Sequence, residues 1–164
     1  MNTNEMERTG EQVTVVDFIE TKVAVYEHRG DPRLIGESVQ RFIEWRKLNR
    51  LSPGEYATFN ILHNDPSSLP PEEYRLDIGV AIDREISGSE YGIVGKTIPG
   101  GRCAVLRHIG LDDTLGESIR YLVSQWFPSS GEIRRNFPIF LNRVRFFPEV
   151  PEEATVIDIF LPIQ

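Results

Sequence analysis

The chain of 164 residues holds a single cysteine, Cys103. That excludes an intramolecular disulfide and a thiolate-based zinc site, and the apolar run Cys103-Ala104-Val105-Leu106 predicts a buried structural thiol. Basic residues are also scarce: 18 Lys and Arg stand against 25 Asp and Glu, a net charge of -7. Sequence-independent nucleic-acid binding draws its affinity from neutralising phosphates, so this balance argues against a direct nucleic-acid partner. It favours neutral or cationic partners. No apolar run approaches the length of a membrane span, and residues 1–11 lack the apolar core of a signal peptide. These absences read as a soluble, reduced, cytoplasmic protein with a disordered polar tail at 1–11 and no membrane contact.

Several chemical motifs are missing as well. Gly95-Lys96-Thr97 resembles the end of a P-loop, but Glu90 stands where the pattern needs glycine. A turn, Ile98-Pro99-Gly100-Gly101, then replaces the helix that a phosphate site requires. Gly88-Ser89-Glu90-Tyr91-Gly92 places its serine one position away from a nucleophile elbow. His28, His63 and His108 have no metal-binding spacing, and no carboxylate pair stands out as an acid–base couple. The expectation is no metal, no cofactor and no catalytic residue.

What is present is a repeat. Val23-Ala24-Val25-Tyr26-Glu27-His28-Arg29-Gly30 matches Cys103-Ala104-Val105-Leu106-Arg107-His108-Ile109-Gly110, eighty residues further on. Gly36-Glu37-Ser38-Val39 likewise matches Gly116-Glu117-Ser118-Ile119. Asp65-Pro66 against Phe147-Pro148 and Asp77-Ile78 against Asp158-Ile159 continue the match at offsets of 81 to 82. The repeats span about 12–83 and 91–163, with Arg84 to Glu90, including Ser87-Gly88-Ser89, as the expected connection.

Each repeat reads as β-α-β-β. Residues 12–28 alternate apolar and polar, as one or two strands do. Gly30-Asp31-Pro32 supplies a turn, a cap and a proline suited to a first helical turn. Ile35, Val39, Phe42 and Ile43 form one apolar helix stripe, and Leu115, Ile119, Leu122, Val123 and Trp126 form another. Strands are expected near 55–63, 73–82, 136–146 and 154–162. His28 and His108, as equivalents at strand ends, read as structural, and His63 beside Asn64-Asp65-Pro66 reads as turn chemistry. The fold class is therefore α+β: duplicated β-α-β-β units with pseudo-twofold symmetry, antiparallel sheets and a groove at their junction.

Strand alternation then assigns faces. With Ala57, Phe59 and Ile61 facing the helix, Tyr56, Thr58, Asn60 and Leu62 face the groove. In the second repeat the groove positions are Phe140, Asn142 and Val144. Leu76, Ile78 and Val80 point inward and leave Asp77 outward; Ile157, Ile159 and Leu161 leave Asp158 and Phe160 outward. Aromatic walls with a few polar groups compose a small-molecule site. Tyr26, Tyr56, Phe140, Phe160 and Trp126 are its candidate walls, Trp126 being equally a helix-stripe residue. Asn60, Asn142 and Asp77 are its candidate polar groups.

Taken in order, Val23-Ala24-Val25-Tyr26-x-His28-x-Gly30, Asn64-Asp65-Pro66, Arg75-x-Asp77-x-Gly79-Val80, Ile98-Pro99-Gly100-Gly101, Val105-x-x-His108-x-Gly110 and Asp158-Ile159-Phe160-Leu161-Pro162-Ile163 resemble the GyrI-like small-molecule-binding family. That family includes the effector-binding domains of AraC-type and MerR-type multidrug regulators. The resemblance runs from Val13 to Ile163 and implies a groove for amphipathic, often cationic, aromatic compounds. With about a dozen residues before the first strand, it implies a stand-alone domain rather than a regulator with its own helix-turn-helix. Stand-alone relatives also include a DNA gyrase inhibitor and hydrolases of genotoxic natural products. The family's buried glutamate falls at Asn142, whose repeat mate by an 82-residue offset is Asn60. Asparagine carries no charge, so the expected ligand is neutral or weakly cationic and the chain is not expected to be an enzyme. The alternatives are a module that binds a protein such as gyrase, and a hydrolase using Asp77.

Overall fold

The computed structural model describes residues 12–86 and 88–164; the expected 1–11 tail and Ser87 lie outside them. The strands are β1 (Val13–Phe18), β2 (Thr21–Arg29), β3 (Thr58–Leu62), β4 (Arg75–Ala81), β5 (Ile93–Ile98), β6 (Gly101–Ile109), β7 (Ile139–Arg145) and β8 (Val156–Pro162). Helix α1 covers Ile35–Leu48. Helix α2 (Leu115–Tyr121) runs through a π-helical stretch, Leu122–Trp126, into α3 (Phe127–Ser130). The fold is α+β with antiparallel strand pairing, and each β-α-β-β segment read from the sequence is present. Among the described residues no helix is long and apolar enough to cross a membrane.

Two compact units result: Glu20–Pro99, and Gly100–Gln164 together with the segment that ends at Ile19. They do not coincide with the sequence repeats. Strand β1 pairs with β6 from Val13↔Leu106 to Phe18↔Gly101, and β5 pairs with β2 from Thr21↔Ile98 to Tyr26↔Ile93. The first strand of each repeat therefore completes the other repeat's sheet.

In the 20–99 unit the strands run β3-β4-β2-β5. Helix α1 covers one face, packing Ile35, Val39, Phe42 and Trp45 against Ala24, Leu76, Ile78 and Val80. The helix stripe and the inward side of β4 are as the sequence predicts. The loop into α1 turns at Gly30, whose φ of +116° suits a residue without a side chain. Asp31 follows, its Oδ1 accepting from Arg33 N at 2.9 Å ahead of Pro32 in the first turn. Beyond α1, Arg46 is buried and its guanidinium donates to Thr58 Oγ1 and Tyr56 O, each at 2.7 Å, and to Leu51 O.

The Arg84–Glu90 stretch is not the connection between units. Ile82, Ile86 and Tyr91 pack on the α1 core, and Arg84 Nη2 donates to Asn49 O at 3.0 Å. A Cβ at Gly88 would lie 2.7 Å from Ile93 Cβ and 2.8 Å from Trp45 Nε1, so glycine permits this close approach. Apolar packing keeps the loop with its own sheet, and the chain crosses between units at Pro99–Gly100 instead.

In the other unit the strands run β1-β6-β8-β7. Tyr121, Leu122, Leu106, Ile157, Ile159 and Leu161 are buried. His28 and His108 play the same part in the two units. His28 Nδ1 lies 2.7 Å from Ser38 Oγ and its Nε2 3.1 Å from Gly30 O and Asp31 O. His108 Nδ1 lies 2.9 Å from Ser118 Oγ and its Nε2 3.0 Å from Leu111 O. Carbonyls only accept, so each Nε2 carries the hydrogen and each Nδ1 accepts from the serine. The histidines pin a strand end to the following helix, which makes them structural.

Candidate functional site

Residues directly opposite in an antiparallel pair share a sheet face. In the 100–164 unit Phe140 opposes Phe160 and Asn142 opposes Asp158, on the face away from Ile157, Ile159 and Leu161. The Phe140 and Phe160 rings stack at 4.8 Å, 3° from parallel. Phe18, at the end of β1, meets both edge-on at 4.9 and 5.4 Å, and Phe137 adds a further edge 6.0 Å from Phe140. Such offset and edge contacts suit the ring quadrupoles. Next along the strands, Asn142 is half-buried. Asp158 accepts from Arg107 Nε at 2.8 Å and Nη2 at 3.0 Å, a two-point ion pair across β6 and β8.

In the 20–99 unit the corresponding face carries charge. Asp77 is fully buried and is held by Arg29 Nη1 at 3.0 Å, His63 Nε2 at 2.8 Å and Lys96 Nζ at 2.6 Å. Burial pushes the Asp77 carboxyl up, but the hydrogen bonds and charges of His63 and Lys96 outweigh it and hold it at about 2. Glu27 opposes Asp77 directly and binds Lys96 and Arg29, each at 2.8 Å. The hydrogen bond from Lys96 is the main reason its carboxyl is also lowered. These carboxylates already have cations. Among the described residues neither His–Ser pair has a carboxylate hydrogen-bonded behind the imidazole, and both serines are buried rather than exposed.

Comparison with known proteins identifies the family. The model of the GyrI-like small molecule binding domain matches residues 11–164. The chain belongs to this family. It is 34% identical over 152 residues to the probable transcriptional regulator YgiV of Escherichia coli (strain K12), covering 92% of this chain and 95% of that protein. Among solved structures, EcmrR in a cryo-EM complex with DNA superposes with a TM-score of 0.77 at 15% identity. That match covers 99% of this chain, which spans only 61% of the EcmrR chain. SAV2435, solved bound to tetraphenylphosphonium, gives a TM-score of 0.60 at 11% identity over 93% of both chains. At these identities the two structures establish the fold alone.

This GyrI-like domain gathers some of the residues read from its sequence and separates others. Phe140, Asn142 and Phe160 share one face of one unit, as their alternation predicts. Asp77 lies on the face away from the helix, also as read. The expected facing of β3, however, is reversed. Tyr56 and Leu62 pack against the α1 core, Thr58 meets Arg46, and Asn60 opposes Ile78 on that same side. Phe59 and Ile61 take the other face, opposite Gly79 and Asp77. Every residue from Thr58 to Ile61 is buried, so alternation here carries no polarity signal. The register also makes Ile61, 81 residues before Asn142, its equivalent: Ile61 opposes Asp77 as Asn142 opposes Asp158. Asn60 is not that mate.

Tyr26 packs against the α1 core too, because β2 presents Ala24, Tyr26 and His28 to the helix. Trp126 sits half-buried in the π-helical stretch. His63 is more than turn chemistry: Asn64 does that work, accepting from Arg75 N at 2.9 Å and donating to Glu73 O at 3.0 Å, while His63 serves Asp77. Phe18, Phe137, Arg29 and Lys96 were missed. Their partners lie on strands whose pairing no local pattern reveals. Cys103 is buried, with its thiol pushed up by burial, as its apolar run predicts. Among the described residues no group of three His, Cys, Asp or Glu is placed to hold a metal.

Proposed function

We propose that this small-molecule-binding domain takes amphipathic aromatic ligands with neutral polar groups and acts as a sensor or sequestering protein for toxic compounds. The observation that carries the reading is the Phe18–Phe140–Phe160 cluster beside half-buried Asn142. The two stacked rings are buried, so what the cluster presents is half-buried Phe18 beside half-buried Asn142, an aromatic edge and a neutral carboxamide that suit a ring system bearing hydroxyl, carbonyl or amide groups. The ion pairs of Asp77 and Asp158 support neutral over cationic ligands, since both acids already have counter-charges. The regulator name of YgiV supports a sensing role. SAV2435, a protein of this fold, was solved with tetraphenylphosphonium, an aromatic cation, which supports the aromatic part of the reading. The preference for neutral compounds rests on the ion pairs of this chain.

A thermal-shift series with neutral polycyclic aromatics tests the reading. Ligand that binds the native state raises the midpoint with concentration. The expected result is a concentration-dependent rise in the wild type that Asn142→Ala diminishes. A panel of neutral aromatics that leaves the midpoint unmoved overturns it.

A further inference from the structure

On the α1 side of the sheet, the β2–β5 pair presents three successive rungs: Tyr26 opposite Ile93, Ala24 opposite Gly95 and Lys22 opposite Thr97. The middle rung joins the two smallest residue types, so the sheet surface dips there. A Cβ on Gly95 would meet no atom within 4 Å. Ile82 and Ile86, in the loop after β4, pack on the same side. The result is an open concavity of about 570 Å³, lined by Ala24, Gly95, Ile82, Ile86 and Ile93, with Lys22 and Thr97 on its polar rung. That volume is within the range of about 300–1,000 Å³ typical of small-molecule sites.

The charges around it are unequal. Two acids line the concavity as well. Asp83 is engaged by Arg84 Nη1 at 3.2 Å and by the Tyr56 hydroxyl at 3.3 Å, and Glu85 is an exposed loop residue. Lys22 is exposed on a strand, and among the described residues no ion pair holds its ammonium. It stands across the strand pair from a hydroxyl, one rung beyond an apolar floor.

The other unit carries the same rungs in a different form. Ala104 opposes Val15 where Ala24 opposes Gly95, so a branched side chain stands where the first unit has none. Arg102, the repeat equivalent of Lys22, opposes Asp17 and binds the two carboxylate oxygens of Glu132 at 3.0 and 3.1 Å. The small floor and the unpaired cation thus occur together in the 20–99 unit and not at the equivalent rungs.

We propose that this concavity is a separate ligand site, for an aliphatic monocarboxylate of medium chain length. The alkyl chain lies on the Ala24–Gly95 floor against Ile82, Ile86 and Ile93. The carboxylate pairs with the Lys22 ammonium and accepts from the Thr97 hydroxyl. Burial of the chain drives binding, and the charged contact selects an anion and sets its direction. The site uses none of the Phe18–Phe140–Asn142 residues, so it stands or falls apart from the aromatic-ligand reading.

The test titrates the full chain with sodium octanoate below its micellar range, with sodium chloride at equal ionic strength as reference, and follows amide chemical shifts. The expected result is saturable shifts at the Ala24, Gly95 and Thr97 amides. Lys22→Ala raises the half-saturating concentration about tenfold, as loss of a charged hydrogen bond would, and Lys22→Arg restores most of the affinity. Gly95→Val, a residue suited to strands, fills the floor and abolishes saturation. If Gly95→Val does not fold, Gly95→Ala is read for a smaller loss in the same direction. Octylammonium and 1-octanol keep the chain but lack the anion, and bind more weakly than octanoate. The proposal is overturned if the wild type shows no saturable shifts at these amides, if either control ligand binds as tightly, or if Lys22→Ala or Gly95→Val binds as the wild type does. Shifts confined to Phe18, Phe140 and Asn142 overturn it too, and support a ligand at the aromatic cluster instead.

Discussion

Phe140 and Phe160 stack ring on ring at 4.8 Å as direct partners across β7 and β8, and Phe18 closes the stack from β1. The contact joins segments more than a hundred residues apart in the chain. Phe140 is 0% exposed. Phe140→Ala removes the stack and leaves a cavity, so we expect a loss of about 3–5 kcal/mol in chemical denaturation. Phe160→Leu keeps most of the apolar volume and costs less. Both variants lose the ring stack and differ in the cavity left behind, so equal losses would show that the cavity adds little beyond the stack.

The two His–Ser pairs make a matched internal experiment. Ser38→Ala and Ser118→Ala each leave a buried imidazole nitrogen without its donor, at a cost of about 1–3 kcal/mol. The pairs share no partner, so the double variant should lose the sum to within about 0.5 kcal/mol. Urea titration of the three variants measures both quantities.

Asp77 sets a pH dependence whose sign follows from its lowered carboxyl. Its folded-state value of about 2 lies below the ordinary 3.8. The stability it contributes is therefore fully present above about pH 4 and is lost as pH falls through that window towards 2. Asp77→Asn is expected to flatten the acid limb of the stability profile there, and to be less stable than wild type at neutral pH. An unchanged slope between pH 4 and 2 would contradict the ion-pair account.

Arg46 holds the end of α1 to the start of β3 through three acceptors. Arg46→Met retains much of the apolar stem but leaves Leu51 O, Tyr56 O and Thr58 Oγ1 without that donor. We expect a loss of at least about 2 kcal/mol. Arg46→Lys should recover only part of it, because one ammonium cannot reproduce a planar fork aimed at three oxygens. Thermal unfolding of the two variants side by side checks the ranking.

Much of this architecture was legible before any coordinates. The His-x-Gly and Gly-Glu-Ser matches at one spacing reveal the duplication. The stripe Ile35, Val39, Phe42 marks the buried side of α1, and Leu76, Ile78 and Val80 mark the helix side of β4. Alternation likewise puts Phe140, Asn142 and Phe160 together, because the final strands pair in simple register from Phe140 to Arg143, before the irregularity that follows. It failed on β3, where Thr58 to Ile61 are buried on both sides and the polar residues Thr58 and Asn60 lie on the helix side. Arg46 reads as a solvated charge on a helix end, and only the fold supplies the carbonyls that draw it inward.

Local chemistry thus determined what each segment would be, since capping, turn residues and apolar periodicity act over a few residues. A single cysteine by itself excluded an intramolecular disulfide. Which strand completes which sheet was decided elsewhere. Ile19–Glu20 and Pro99–Gly100 carry no sign that β1 joins β6 and β5 joins β2, because strand pairing is a contest among distant segments with similar propensities. That exchange brings Phe18 to the phenylalanine stack and Lys96 to the two acids. Two of the residues that the sequence did not show, Phe18 and Lys96, reach their places through it.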